Sequence, residues 1–235
     1  MRAVICLPTY NELENLERML RALEPSGAQV LVIDDGSPDG TGVLADRLAL
    51  ELPFVEVLHR PRKEGLGPAY IAGFRHALAG GAELVLEMDC DFSHDPADVP
   101  RLIAAAAGAD LVLGSRYVKG GRVADWGVVR RAVSSGGSWY ARLLLGVPVR
   151  DLTGGFKCYR RKVLERIDLD AVDARGYAFQ IATTYRALRA GFHVTEVPIV
   201  FVDREAGGSK MSRSIVLEAV WRVPVLRLAA LAGRI

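Results

Sequence analysis

Short apolar runs, each cut off by a polar or charged cluster, recur through the first half of the chain at residues 3–7, 30–33, 55–58, 84–88 and 111–113. Runs of this length bounded by turn residues predict strands. Between them, residues 12–23, 41–50, 67–79 and 96–107 place apolar side chains at helical spacing. Strands alternating with helices through short loops predict an α/β fold with a doubly wound, mostly parallel sheet. Asp95 before Pro96 is a helix start, a capping carboxylate followed by proline at the first helical position. The second half breaks the alternation: 130–145 and 178–190 read as helices, Gly154-Gly155-Phe156 as a turn into a short strand, and 194–202 as a strand. Residues 205–210 form a loop ending in Lys210, and 212–231 an apolar-rich segment.

Ligands of such sheets bind outside the carboxyl ends of the strands, so the residues that follow each strand belong to one mouth. Collected in that way they are Pro8-Thr9-Tyr10-Asn11-Glu12, Asp34-Asp35-Gly36-Ser37, Asp89-Cys90-Asp91 and Gly114-Ser115-Arg116-Tyr117. The third is the most informative. Two carboxylates one residue apart at the end of a buried strand repel each other unless a cation sits between them, and oxygen ligands suit Mg2+ or Mn2+. Such an ion is held by one or two carboxylates plus phosphate oxygens, which predicts a diphosphate substrate; the plainer reading is a surface pair capping the next helix. Tyr10 can pack beside a nucleobase, while Glu12 and Asp35 can accept hydrogen bonds from ribose hydroxyls or base amines, or serve only as a helix-start charge and a turn cap.

Bulk properties narrow the function further. The chain has 235 residues, 50% hydrophobic and 25% charged, enough for one large globular domain and its core. A net charge of +2 gives no case for nucleic acid, although Arg116, Lys119, Arg122, Arg130 and Arg131 face Asp125 alone across 116–131. Cys6, Cys90 and Cys158 are too few and too scattered for a zinc site or a disulfide framework, which fits a reducing cytoplasm. No secretory signal is visible, and no uncharged run reaches the length of a membrane span. Gly40, Gly42 and Ala45 match a dinucleotide fingerprint formally, but six residues separate them from the strand, so that reading is rejected. His59, His76, His94 and His193 show no ligand spacing and are taken as structural or surface residues, His94 alone lying near the carboxylates.

The strand-end motifs, with Val32-Ile33-Asp34-Asp35-Gly36-Ser37, Met88-Asp89-Cys90-Asp91-Phe92-Ser93-His94, Arg116-Tyr117-Val118-Lys119-Gly120-Gly121, Leu152-Thr153-Gly154-Gly155-Phe156 and Gly176-Tyr177-Ala178-Phe179-Gln180, resemble those of dolichyl-phosphate (polyprenyl-phosphate) mannose synthases, inverting family-two glycosyltransferases. The resemblance runs from Pro8 to about Met211 and implies a single GT-A catalytic domain over 1–211. Residues 212–235 would then be an apolar or amphipathic helix, lying on a membrane surface or packing on protein.

The resemblance implies transfer of mannose from GDP-mannose to a dolichyl or polyprenyl phosphate. Pro8, Tyr10, Glu12, Ile33 and Asp35 would hold the guanosine, Asp89, Cys90 and Lys210 the rest of the donor, and Asp89, Asp91 and Ser93 the metal. Arg116, Arg130, Arg131 and Ser134 would bind the acceptor phosphate, with Asp91, Arg116 and Arg130 closest to the chemistry. Ser93 replaces the glutamine of some relatives, and Ala182 the glutamate that many carry after the Phe-Gln-Ile run. The implied location is the cytoplasmic face of a membrane, held peripherally. The rival readings are a glucosyltransferase using UDP-glucose and a non-catalytic sugar-nucleotide-binding module.

Overall fold

The computed structural model describes residues 1–124, 127–172, 176–203 and 213–233, with backbone alone at 128–133, 176–177 and 213–219. The elements run β1 (Ala3–Thr9), α1 (Leu16–Leu23), β2 (Gln29–Asp34), α2 (Thr41–Glu51), β3 (Val55–His59), α3 (Leu66–Ala79), β4 (Leu84–Glu87), α4 (Val99–Ala105) and β5 (Leu111–Ser115). There follow β6 (Arg122–Val123), α5 (Val128–Leu145), β7 (Lys157–Arg160), α6 (Arg161–Arg166), α7 (Gly176–Arg189), β8 (Val194–Pro198), β9 (Val200–Phe201) and α8 (Arg213–Leu231).

Seven strands form the main sheet in the order β3-β2-β1-β4-β7-β5-β8, and β6 pairs with β9 in a small second sheet. Every neighbour in the main sheet is parallel except β7, which lies antiparallel between β4 and β5. The five early strands and their helices thus match the alternation read from the sequence. The wedge of β7 between β4 and β5 does not follow from it, because a four-residue strand after the Gly154-Gly155 turn carries no periodic signal of which neighbours it will pair with.

Both faces of the sheet are covered, which is why its strands are almost wholly apolar. Leu84, Leu86 and Met88 enter one core with Leu16, Leu20 and Phe156. Val85 enters the other, with Tyr70, Phe74, Tyr159 and Phe179. Alternation along β4 carries Glu87 to the same face as Val85, where it is fully buried. There Tyr159 Oη donates to Glu87 Oε1 at 3.0 Å, and Lys157 Nζ donates to the Gln180 carbonyl at 2.8 Å. Helix α3 lies close on β1 and β2: a Cβ at Gly73 would stand 2.3 Å from Ile33 Cδ1.

Helix starts differ from the periodic reading where a polar residue competes for the backbone. The predicted helix at 12–23 begins at Leu16, because Asn11 adopts φ 57 and the Glu12 carboxylate takes the Asn15 side-chain amide at 2.9 Å. Residues 96–98 form a single 3-10 turn ahead of α4, capped by Asp95, whose side chain accepts from Ala97 N at 2.9 Å. The strand expected at 194–202 is interrupted at Ile199, where the chain leaves β5 for β6.

The C-terminal α8 packs on α5 and α7. Val223 and Ala230 are buried in the core, and Tyr140 Oη donates to the Val220 carbonyl at 3.0 Å. Its other side carries Trp221, Val225 and Leu228, all exposed. Among the described residues no helix is long and apolar enough to cross a membrane.

Candidate active site

One side of the mouth is built at the ends of β1 and β2. Pro8 stands level with Ile33, and Thr9 with Asp34, in the parallel register. Asp34 closes the turn after β2: Ser37 donates to it from its backbone at 3.2 Å and from its hydroxyl at 2.5 Å. Gly36, at φ 70, makes that turn possible and lets Pro61 O approach within 3.2 Å of where a Cβ would sit. Asp35 is buried and paired with Arg60. Burial raises its carboxyl and the Arg60 charge opposes the rise. Lys63 lies over the Tyr10 ring, 4.0 Å from its centroid, so the 60–65 loop covers this end of the site. Glu12 is buried, and its main-chain N–H donates to Thr41 Oγ1 at 3.0 Å. Ile33 sits entirely in the core under α3.

The acidic pair follows β4. Tyr70 Oη donates to Asp89 Oδ1 at 3.2 Å, and Ser93 N donates to Asp91 Oδ1 at 3.1 Å across Phe92, which adopts φ 59. Asp91 and Ser93 are buried, and the Cys90 thiol lies in the apolar core. Asp89 Oδ2 faces Gly155, whose absent Cβ would lie 3.8 Å away. Among the described residues no group of three or more His, Cys, Asp or Glu could enclose an ion. An open pair of hard oxygen donors fits a Mg2+ or Mn2+ whose remaining ligands are substrate phosphate and water, the pattern expected of that chemistry rather than of a closed structural metal.

On the opposite side Arg116, at the end of β5, is locked by a buried ion pair. Its Nε donates to Asp151 Oδ2 at 2.8 Å, one terminal nitrogen to Asp151 Oδ1 at 2.7 Å and to Thr153 Oγ1 at 2.9 Å, and its backbone N–H to Asp151 Oδ2 at 2.9 Å. Phe201 and Tyr117 flank the guanidinium, with ring centroids 5.3 and 5.2 Å from its central carbon. Tyr117 Oη donates to Ser134 Oγ at 2.8 Å, which brings α5 to the same rim. His94 lies between the two sides, stacked on Phe156 at 5.0 Å and edge-on to Phe201 at 5.2 Å. Burial holds its imidazole down to about 4, Asp91 opposing, and its Nδ1 has no hydrogen-bond partner.

The structure therefore brings Tyr10, Glu12, Asp35, Asp89, Asp91, Ser93, Arg116 and Ser134 to the strand-end mouth. The Arg130 and Arg131 side chains and Lys210 lie outside the described residues. Sequence reasoning missed Asp151, Tyr70, Arg60 and Lys63. Asp151 directly precedes the Leu152-Thr153-Gly154 motif and was within reach of a reader asking what balances a buried arginine. Tyr70 had no signal, since an aromatic residue on an amphipathic helix reads as core.

A mostly parallel sheet with acid-x-acid at the end of β4 and polar loops at β1 and β2 is the arrangement of a GT-A nucleotide-sugar enzyme. Residues 4–168 match the model of glycosyl transferase family 2, and the chain belongs to that family. It is 50% identical over 232 residues to an undecaprenyl-phosphate mannosyltransferase of Micrococcus luteus, covering 98% of this chain and 96% of the relative. It is 52% identical over 226 residues to a polyprenol monophosphomannose synthase of Mycolicibacterium smegmatis, covering 94% and 85%. Among solved structures, a mannosyltransferase from Pyrobaculum calidifontis in complex with GDP-Man and Mn2+ superposes with TM-score 0.60 at 17% identity, over 99% of this chain and 74% of that one. Glucosyl-3-phosphoglycerate synthase from Mycobacterium tuberculosis with Mn2+ and UDP-glucose gives TM-score 0.66 at 20% identity, over 99% and 79%. At these identities the two structures speak for the fold.

Proposed function

We propose that the protein transfers mannose from GDP-mannose to a polyprenyl phosphate with inversion at the anomeric carbon. The observation that carries this reading is near-full-length identity of about half to two polyprenyl-phosphate mannosyltransferases. The acid pair facing the Arg116 side across the mouth supports it.

In this reaction an acceptor phosphate oxygen attacks the sugar C1 as the bond from C1 to the GDP oxygen breaks, and that bond's electron pair leaves with GDP. A phosphate monoester, with its second pKa near ~6, is already largely dianionic at neutral pH, so no strong general base is required. Arg116 has its orientation set by Asp151 and Thr153, which suits a group that positions an anion. Ser134, held through Tyr117, with Arg130 and Arg131 on α5, completes the acceptor-phosphate set. Tyr10, Glu12 and Asp35 hold the nucleoside, and Lys210 adds charge to the donor phosphates. Asp89 and Asp91, with Ser93 beside them, would hold a Mg2+ or Mn2+ ion, which when bound would supply neutralisation of the departing diphosphate.

The lipid acceptor places the enzyme at a membrane surface, and we assign the contact to the outer sides of α5 and α8. Trp139 and Leu143 on α5 are 65% and 67% exposed, and Trp221 and Leu228 on α8 are 74% and 65% exposed. Interfacial tryptophans among aliphatic side chains, with Arg142 exposed on the same helix, suit an anionic lipid surface. The three buried cysteines form no disulfide, which accords with the cytoplasmic face.

Purified protein with Mg2+ or Mn2+, a short polyprenyl phosphate and each of GDP-mannose, UDP-glucose and UDP-N-acetylglucosamine tests donor and reaction together. GDP-mannose alone is expected to label the lipid. Preferential use of UDP-glucose would replace the donor, and binding without transfer would make the protein a sugar-nucleotide-binding module. Replacing Trp139 and Trp221 by serine is expected to reduce sedimentation with anionic vesicles.

A further inference from the structure

Glu87 and Asp89 lie on one face of β4 and its extension, and each accepts a hydrogen bond from a different buried tyrosine. Tyr159 serves Glu87 at 3.0 Å, deep in the core, where Lys157 and Thr183 complete the network. Tyr70 serves Asp89 at 3.2 Å, at the rim. The first pairing serves one oxygen of a fully buried acid. The second ends on a carboxylate already placed in the donor site.

Tyr70 comes from α3 and is fully buried. Its ring is nearly parallel to Phe179, at 6.0 Å and 7°, and stacks on Phe74 at 5.8 Å. Phe179 belongs to α7, whose Phe179-Gln180 pair the sequence singled out and the proposed chemistry leaves without a task. The stack clamps the phenol between two helices, so its hydroxyl meets Asp89 with little freedom to turn away. Burial first, and then the Asp89 and Glu87 charges, push the phenol well above its ordinary pKa, so it donates and does not ionise. While Oδ1 takes this bond, Oδ2 points toward Gly155, where the missing side chain leaves room beside the Gln180 amide.

We infer that Tyr70 is a positioning residue for the metal ligand Asp89, its hydroxyl fixing the carboxylate so that Oδ2 is presented to the donor-bound cation. The inference rests on the metal-dependent reading above. Groups that orient a ligating carboxylate from behind typically change metal affinity or activity by ~10–100-fold when removed.

The test compares Tyr70→Phe with Tyr159→Phe, both keeping their rings and losing one hydroxyl. Mn2+ binding in the presence of GDP is titrated by electron paramagnetic resonance, and melting is followed without metal. Tyr70→Phe is expected to weaken Mn2+ binding roughly tenfold, with transfer recovering toward the unaltered rate at saturating Mn2+. Tyr159→Phe is expected to lower the melting temperature and leave Mn2+ affinity within about twofold, well under the effect expected of a ligand's orienting partner. Tyr70→Met, also without the hydroxyl, serves if the phenylalanine variant does not fold. Unchanged Mn2+ affinity in the Tyr70 variant overturns the inference alone. Failure of the unaltered protein to bind Mn2+ with GDP overturns the metal reading and this inference together.

Discussion

On the side of the mouth proposed for the donor, Asp89 and Asp91 accept hydrogen bonds from a phenol and a main-chain amide, whereas on the side proposed for the acceptor Arg116 meets a full counter-charge in Asp151. These two neutral donors orient the carboxylates without themselves cancelling charge. A bidentate ion pair fixes a guanidinium in place and tempers its charge, so that side is prepared to orient an anion rather than to capture one from a distance. The contrast implies that damage to the donor side should appear mainly in catalysis, and damage to the acceptor side first in stability.

The largest expected effect breaks the donor side. Asp91→Asn should lower transfer about a thousandfold while the protein melts as before, because the lost quantity is electrostatic stabilisation of the leaving group. Turnover near the unaltered rate would remove Asp91 from the chemistry.

The acceptor side should fail differently. Arg116 and Asp151 are almost wholly buried, and Asp151→Asn leaves a buried cation without its partner charge, a cost of about 3–5 kcal/mol in urea unfolding together with a raised KM for the acceptor. A stable variant with unaltered KM would show that the pair neither holds the fold nor the acceptor.

His94 sits on the line between the two sides and sharpens the comparison through pH. Its folded pKa of about 4 lies below the value of 6.5 of an ordinary histidine, so the unfolded chain binds more protons between those values. The stability contributed by keeping it neutral is complete above pH 6.5 and is lost as pH falls toward 4. His94→Phe should flatten the acid limb of a stability-against-pH curve over that window. An unchanged limb would put the acid sensitivity elsewhere.

The smallest effect is a baseline outside both sides. Asp95→Ala removes the cap on the turn before α4 and should cost about 1 kcal/mol with transfer unaltered. A large loss of activity there would mean that the 89–95 loop depends on that cap for its shape.

Much of the donor side was legible before any coordinates, since each of its residues follows directly on a strand that its own neighbours predict. The acids after residues 84–88 needed only the strand's end to be located, and the parallel rule then gathered Tyr10, Glu12, Asp35 and Asp89 at one mouth. The side proposed for the acceptor was legible as Arg116 at a strand end within a basic stretch, its phosphate-binding set coming only from the family resemblance. Arg116 stood out as a cation, but nothing within a few residues tells that Asp151, 35 positions away, has claimed it. His94 was read as unremarkable for the same reason: the rings that enclose it come from residues 156 and 201.

What the sequence alone determined was therefore local in origin: the strand and helix periods, the turn after β2, the cap at Asp95, and the acid pair at the end of β4. These depend on contacts within a few residues, and side-chain alternation and capping chemistry encode them directly. The antiparallel wedge of β7, the Arg116–Asp151 lock, the Tyr70 bond to Asp89 and the packing of α8 on α5 and α7 were decided only when distant segments closed on one another. Such pairings are selected by which buried polar groups remain to be satisfied after the sheet has formed, a condition that exists only in three dimensions.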